Sequence, residues 1–81
     1  MKERYAIAVY KANGNYSAHV IDVDGVIASG RTVEEAVANL QDALEFHFEG
    51  MAEGNEPIPV PEVIIEYVDV KIPTAAKRKS A

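Results

Sequence analysis

Two aspartates, Asp22 and Asp24, come closest to a catalytic arrangement in this sequence. Residues two apart in an extended segment share one face, so both carboxylates could coordinate a divalent cation. Metal-dependent phosphodiester hydrolysis needs several such groups around the metal, and Asp42 and Glu45 are the further candidates. We favour turn chemistry, because an aspartate side chain readily bonds its own backbone. Asp42, Glu45 and Glu49 are expected on the solvent side of a helix, so no catalytic or metal site is predicted.

The histidines and the basic residues also favour non-catalytic roles. His19 lies in a predicted strand and His47 near the apolar stripe of a predicted helix. No serine or cysteine is arranged so that either imidazole could activate it. The basic run Lys77–Lys79 could touch a phosphate backbone, but a short run at a terminus is more typical of a solvated tail. We therefore expect no enzyme and no cofactor.

Composition restricts the class of protein further. The chain has 81 residues, no cysteine and a formal net charge of -5. This length favours one small domain, and no apolar run is long enough to cross a membrane. Because its N-terminus leads directly into a strand pattern, without a signal-peptide core, we expect a cytoplasmic protein. The negative charge disfavours nucleic-acid binding by the folded domain and suits a basic partner.

One helix is expected to position everything else. Thr32 and Glu35 form a capping box, in which the threonine hydroxyl accepts from the Glu35 N–H and the carboxylate reaches back to the Thr32 N–H. An apolar stripe at helical spacing follows, which predicts a helix from about Val33 to about Glu53. Gly54 is expected to end it as a left-handed cap.

The remaining patterns predict strands. Asn13-Gly14 is a strong hairpin signal, whereas prolines between Gly54 and Val63 exclude a helix or central strand there. A fourth strand after the helix could return parallel to an earlier one. The expected fold class is α+β, a β-β-β-α-β domain with one mixed sheet and one long helix on one face. Its predicted strands are Tyr5–Ala12, Tyr16–Val23, Val26–Ser29 and Val63–Val70.

Two features predict association with another chain. The first and fourth predicted strands are apolar on both faces, although one helix can cover only one face of the sheet. Phe46 lies almost opposite the apolar stripe, beside the small residues Ala43 and Gly50, which would allow close approach. We expect a homo-oligomer, with a dimer as the default, because two-fold closure is the commonest assembly.

The order of turns, cap and prolines resembles the HicB-like antitoxin domain over roughly Tyr5 to Val70. The resemblance implies a partial RNase H-like fold without nuclease activity, whose usual task is to bind and block HicA, a small basic RNA-cleaving toxin. We assign residues 1–72 to this domain and 73–81 to a flexible basic tail. The residues that carry the motif are Gly14, Gly25, Gly30, Thr32, Glu35, Asn39, Gly54, Pro57 and Pro59.

The chain departs from the family in two ways. The turn around Asp22 lacks the prolines usual there, and the chain ends too soon for the C-terminal DNA-binding domain of many members, which puts operator autoregulation in doubt. Three functions therefore stay open: an antitoxin, an orphan oligomeric scaffold without a toxin, and a divalent-metal-dependent nuclease. The candidate partner-binding residues are Asp22, Asp24, Asp42, Glu45, Phe46 and Glu49.

Overall fold

A computed structural model describes residues 1–79 and shows three strands followed by one helix. The predicted α+β class is confirmed. The three strands form one antiparallel sheet in the order β1-β2-β3, and the helix covers one of its faces. The elements are β1 at Ile7–Ala12, β2 at Asn15–Val20, β3 at Ile27–Gly30 and α1 at Val33–Glu53.

The hairpin predicted at Asn13-Gly14 joins β1 to β2. Ala12 pairs with Asn15 and Ile7 with Val20, so the register runs without a bulge along the whole of β1. Only Gly14 has a positive φ, of 80°, in this turn. Glycine is suited to that position because it has no Cβ to clash in the left-handed region.

The core lies between α1 and the inward face of the sheet. Small and β-branched residues predominate in it, because the helix lies close over β2 and β3. Gly30 shows how close the approach is: a Cβ built on it would lie 2.5 Å from the backbone nitrogen of Ala36. The buried residues are Ala18, Val20, Val23, Val26, Ala36 and Leu40.

The capping box forms, with one difference in its return bond. The Thr32 hydroxyl oxygen accepts a 3.0 Å hydrogen bond from the Glu35 N–H, as predicted. The Glu35 carboxylate accepts from the N–H of Arg31 at 3.1 Å, not from that of Thr32. Both bonds bring backbone donors at the helix start to side-chain oxygens, so α1 begins at the predicted residue.

The helix ends at the predicted residue by a different geometry. Gly54 has φ -86° and is not left-handed, so that prediction was wrong; the left-handed residue is Asn55, with φ 57°. Glu56 N–H donates to the Met51 carbonyl at 2.8 Å and Asn55 N–H to the Ala52 carbonyl at 3.1 Å. This pair of bonds is the Schellman motif. Asparagine tolerates the left-handed region because its short polar side chain can bond locally.

The predicted fourth strand is the main correction. Within residues 1–79, the segment Val63–Val70 pairs with no strand, and the sheet is three-stranded and antiparallel rather than mixed. Tyr67 is 91% exposed and Val68 is 82% exposed. β-propensity describes how well a residue fits a paired, half-buried surface. A segment with high β-propensity therefore forms no strand where no partner edge is available. Here the segment leaves the body of its own chain before it reaches an edge.

Candidate partner-binding surface

The outward side of α1 carries a continuous acidic surface. Asp42, Glu45 and Glu49 are all exposed and follow one another at helical spacings of three and four residues. They lie opposite the buried residues Ala36 and Leu40, as the apolar periodicity predicted. We call these three carboxylates the acidic helix face.

Phe46 adjoins the acidic helix face and is 77% exposed. It borders a shallow hollow of about 370 Å³ between α1 and the β2–β3 connection, which we call the Phe46 hollow. The small residues Ala43 and Gly50 line it on the helix side, and Ile27, itself 60% exposed, lines it on the sheet side. Aromatic residues are enriched in protein–protein interfaces, so the exposed Phe46 ring is a candidate anchor for a partner.

The two aspartates of the β2–β3 connection have different environments. Asp22 is half-buried, and its Oδ2 atom accepts from the backbone N–H groups of Glu62 at 2.9 Å and Val63 at 3.1 Å. It therefore holds a distant segment in place. Asp24 is exposed and precedes Gly25, whose φ of 81° completes the turn and which lines the Phe46 hollow.

These carboxylates do not form the metal site that a nuclease would need. Among residues 1–79 there is no group of three or more histidine, aspartate or glutamate side chains that could hold a metal ion. His19 packs its ring 5.9 Å from that of Tyr10, and His47 lies 6.2 Å from Phe48. Both imidazoles are therefore placed in aromatic contacts.

Tyr5 has a role that the sequence did not reveal. Its hydroxyl donates a 2.5 Å hydrogen bond to the carbonyl of Pro59, and its ring lies 5.3 Å from Phe48. Partial burial, with the nearby carboxylates of Glu3 and Asp22, raises the pKa of Tyr5 above its ordinary value of 10.0. An aromatic residue at the start of a strand and a proline-rich exit from a helix were visible separately, but nothing in the sequence linked them.

A second, larger groove lies between α1 and the outer edge of β1. Its volume is about 510 Å³. Tyr5 and Ile7 line it on the sheet side, and Val37, Leu44 and Phe48 line it on the helix side. We call it the β1 groove. Its central walls are apolar, and Lys2, Glu3, Gln41 and Glu45 also line it. It is a second candidate surface for a partner.

The remaining motif residues have structural roles. The Asn39 side-chain amide donates to the Ser29 carbonyl at 2.8 Å and so ties α1 to β3. Pro57 and Pro59 lie in the connection after the helix, where the Pro59 carbonyl accepts the hydrogen bond from the Tyr5 hydroxyl. In the predicted tail, residues 73–79 are exposed and Ala76 N–H donates to the Pro73 carbonyl at 2.9 Å; residues 80–81 lie outside the described part.

No helix in the described part of the chain is long and apolar enough to span a membrane.

Comparison with known proteins agrees with the motif order. Residues 5–75 match a family described as HicB_like antitoxin of bacterial toxin-antitoxin system. An uncharacterized 14.9 kDa protein from the rep-hol intergenic region of Haemophilus phage HP1 is 38% identical over 65 residues, which is 80% of this chain and 49% of that protein. The UPF0150 protein ssr1765 of Synechocystis sp. is 27% identical over 60 residues, covering 74% of this chain and 76% of that one. The chain thus spans about half the length of its phage relative.

Proposed function

The chain belongs to the HicB-like antitoxin family, and from that premise we propose that it neutralises a HicA-type RNA-cleaving toxin by covering the toxin's active surface. The action is stoichiometric binding in the cytoplasm, without catalysis and without a cofactor. The partner is a protein, not a membrane or a nucleic acid.

The acidic helix face is the observation that supports this proposal most directly. A toxin that binds RNA must present positive charge to phosphates. Asp42, Glu45 and Glu49 offer three carboxylates in a row on a rigid helix, where they can occupy phosphate positions. Asp24 adds a fourth carboxylate at the adjoining turn. We assign Asp22 to holding the segment at Glu62 instead, because its carboxylate already binds two backbone donors.

The apolar part of the contact is assigned to Phe46. Exposed charges mainly speed association and select the partner, whereas burial of an aromatic anchor supplies much of the affinity. Phe46 is largely exposed and its hollow is open, so a toxin side chain can enter beside the ring.

Self-association is part of the proposal. Large apolar side chains remain exposed on this chain, among them Ile64 at 83% and Ile27 at 60%. A small domain with such surface gains stability when another copy covers it. We propose a homodimer, with toxin bound at the acidic helix face of each copy.

The direct experiment mixes the purified protein with the product of an adjacent small basic reading frame and measures RNA cleavage. Equimolar protein should suppress cleavage, and complex formation should slow as salt rises, because a Debye length of about 10 Å at 0.1 M screens exposed charges. The double variant Glu45→Gln/Glu49→Gln should associate more slowly. Glu3→Gln/Glu62→Gln removes the same charge elsewhere and is the matched control.

Each outcome separates the proposal from an alternative. Undiminished cleavage at several-fold molar excess would refute the antitoxin function and favour the orphan scaffold. Equal slowing by both double variants would show that net charge, and not the acidic helix face, selects the toxin. RNA cleavage by this protein alone, dependent on a divalent cation, would support the nuclease instead.

A further inference from the structure

The segment Val63–Ile72, which we call the C-terminal arm, has the composition of a strand and the exposure of a tail. Its apolar side chains are largely uncovered: Ile64 is 83%, Val68 82% and Val70 68% exposed. Chain segments that stay solvated in isolation are typically poor in β-branched and aromatic residues. This arm is rich in them, so we expect it to lie against a surface in the functional protein.

The outer edge of β1 offers the backbone partners that such an arm needs. Within residues 1–79, β1 is an edge strand of the sheet and pairs only with β2. The two-residue turn makes Ala12 and Asn15 a hydrogen-bonded pair, and Ile21 N–H donates to the Ala6 carbonyl at 3.0 Å. Pairs alternate along an antiparallel ladder. The N–H and C=O groups of residues 7, 9 and 11 therefore point away from β2, toward the free edge.

The β1 groove lies directly above this edge and offers the side-chain contacts. The helix packs mainly over β2 and β3, so its flank at Val37, Leu44 and Phe48 overhangs Ile7 without a strand beneath it. A strand added at the β1 edge would place every second side chain under that flank. In the arm, Ile64, Val68, Val70 and Ile72 share one such face, on which Glu66 is the single charged residue.

The arm does not fill this groove in its own chain. It is fixed at its base, where Tyr5 binds Pro59 and Asp22 binds the N–H of Val63, and beyond Val63 it leaves the domain. The chain has a longest dimension of 56 Å and a radius of gyration of 16.2 Å, against roughly 12 Å for a compact chain of this length. Ten arm residues reach about 33 Å when extended, which is long enough to lie along β1 of another copy.

We propose that two copies of this protein exchange their C-terminal arms, each arm forming the fourth strand beside β1 of the partner and packing under its helix flank. The exchange is reciprocal, so it closes as a two-fold dimer in which both free edges are covered. The inference specifies the proposed self-association and does not depend on the identity or existence of a toxin.

Intermolecular paramagnetic broadening tests the exchange in the full chain. Because the sequence has no cysteine, Lys71→Cys gives one attachment point for a nitroxide. Lys71→Cys chains that carry the nitroxide but no 15N are mixed with 15N-labelled wild-type chains. We expect strong broadening of the amides of Ile7, Val9 and Lys11 in the labelled copies, and weaker broadening at Ile27 in β3, which lies across the sheet from the β1 edge. No broadening of these amides in the mixed sample, together with their broadening in 15N-labelled Lys71→Cys chains that carry the nitroxide, would show intrachain closure and overturn the exchange.

Light scattering with paired variants separates arm exchange from any other dimer. Wild type should have twice the 8.8 kDa chain mass, and Val68→Asp/Val70→Asp should shift the dimer dissociation constant upward by at least tenfold. Thr74→Asp/Ala76→Asp adds the same charge just beyond the arm and should remain dimeric. Unchanged helical circular dichroism would show that all variants fold. A dimer that is insensitive to the arm variants would overturn the exchange but leave self-association standing. A monomeric wild type would overturn both. Inhibition of a toxin is measured in the separate RNA-cleavage assay.

Discussion

Asp22 accepts a 3.1 Å hydrogen bond from the backbone N–H of Val63, forty-one residues later in the chain. The bond joins the β2–β3 connection to the base of the C-terminal arm. Together with the bond from Tyr5 to Pro59 it determines where the arm leaves the domain. From the sequence, Asp22 was interpreted as a turn residue or a partner contact. In the structure it directs the C-terminal arm.

Replacing Asp22 should loosen the base of the arm. Asp22→Ala removes two charge-assisted bonds from a half-buried site, and we expect a loss of about 1–2 kcal/mol in the free energy of unfolding. Asp24→Ala, at the exposed neighbouring position, should cost less than about 0.5 kcal/mol. Urea titration of both variants measures the difference, and equal losses would argue against the Asp22–Val63 bond in solution.

Tyr5 should make the stability depend on pH at the alkaline end. Its pKa is raised in the folded state, mainly by burial and also by Glu3 and Asp22. The folded form therefore holds the phenol proton more tightly than the unfolded form. The resulting contribution of Tyr5 to the free energy of unfolding is fully present below pH 10 and is lost as the pH rises through the folded-state pKa. Tyr5→Phe cannot titrate, so the difference in melting temperature between wild type and variant should shrink above pH 10.

A difference that stayed constant from pH 8 to pH 11 would show that the Tyr5 phenol titrates equally in both states. The bond to Pro59 also predicts a loss of about 1 kcal/mol for Tyr5→Phe at neutral pH. Tyr10→Phe is a suitable control, because its ring is on the other face of the sheet.

Two glycines should respond in opposite ways to the same substitution. Gly30→Ala places a Cβ 2.5 Å from the Ala36 nitrogen, so β3 and α1 must separate; we expect a loss of at least about 2 kcal/mol. Gly50→Ala meets no atom within 4 Å and should stabilise the helix by about 0.5–1 kcal/mol. Thermal melts of both variants should move in opposite directions. A destabilised Gly50→Ala would indicate that another chain packs closely at the Phe46 hollow.

The end of the helix makes a further pair of variants informative. Asn55→Ala should cost about 1 kcal/mol, because alanine is disfavoured at φ 57°. Gly54→Ala should be nearly neutral, since Gly54 has an ordinary φ and its added Cβ would have no contact closer than 3.6 Å. The reverse ranking, with Gly54 the sensitive residue, would restore the left-handed glycine predicted from sequence.

The sequence by itself determined the local features of this protein. Helix periodicity and the Thr32 cap placed α1 at its observed ends, and Asn13-Gly14 placed the hairpin, because such signals act between residues a few positions apart. The ordered set of motifs also identified the antitoxin family, and the acidic helix face followed from helical spacing alone. Helical spacing also predicted that Phe46 lies almost opposite the apolar stripe of the helix.

Only the tertiary structure decided the contacts between distant parts of the chain. The sequence predicted a strand at Val63–Val70, but its composition could not say which edge it would meet. The structure shows the segment anchored by Asp22 and directed away from its own sheet. It likewise shows that the Tyr5 hydroxyl donates to the Pro59 carbonyl and that Gly30 packs closely against the backbone of Ala36. These relationships depend on how the helix lies over the sheet, which is set by packing between residues far apart in sequence and leaves no local pattern.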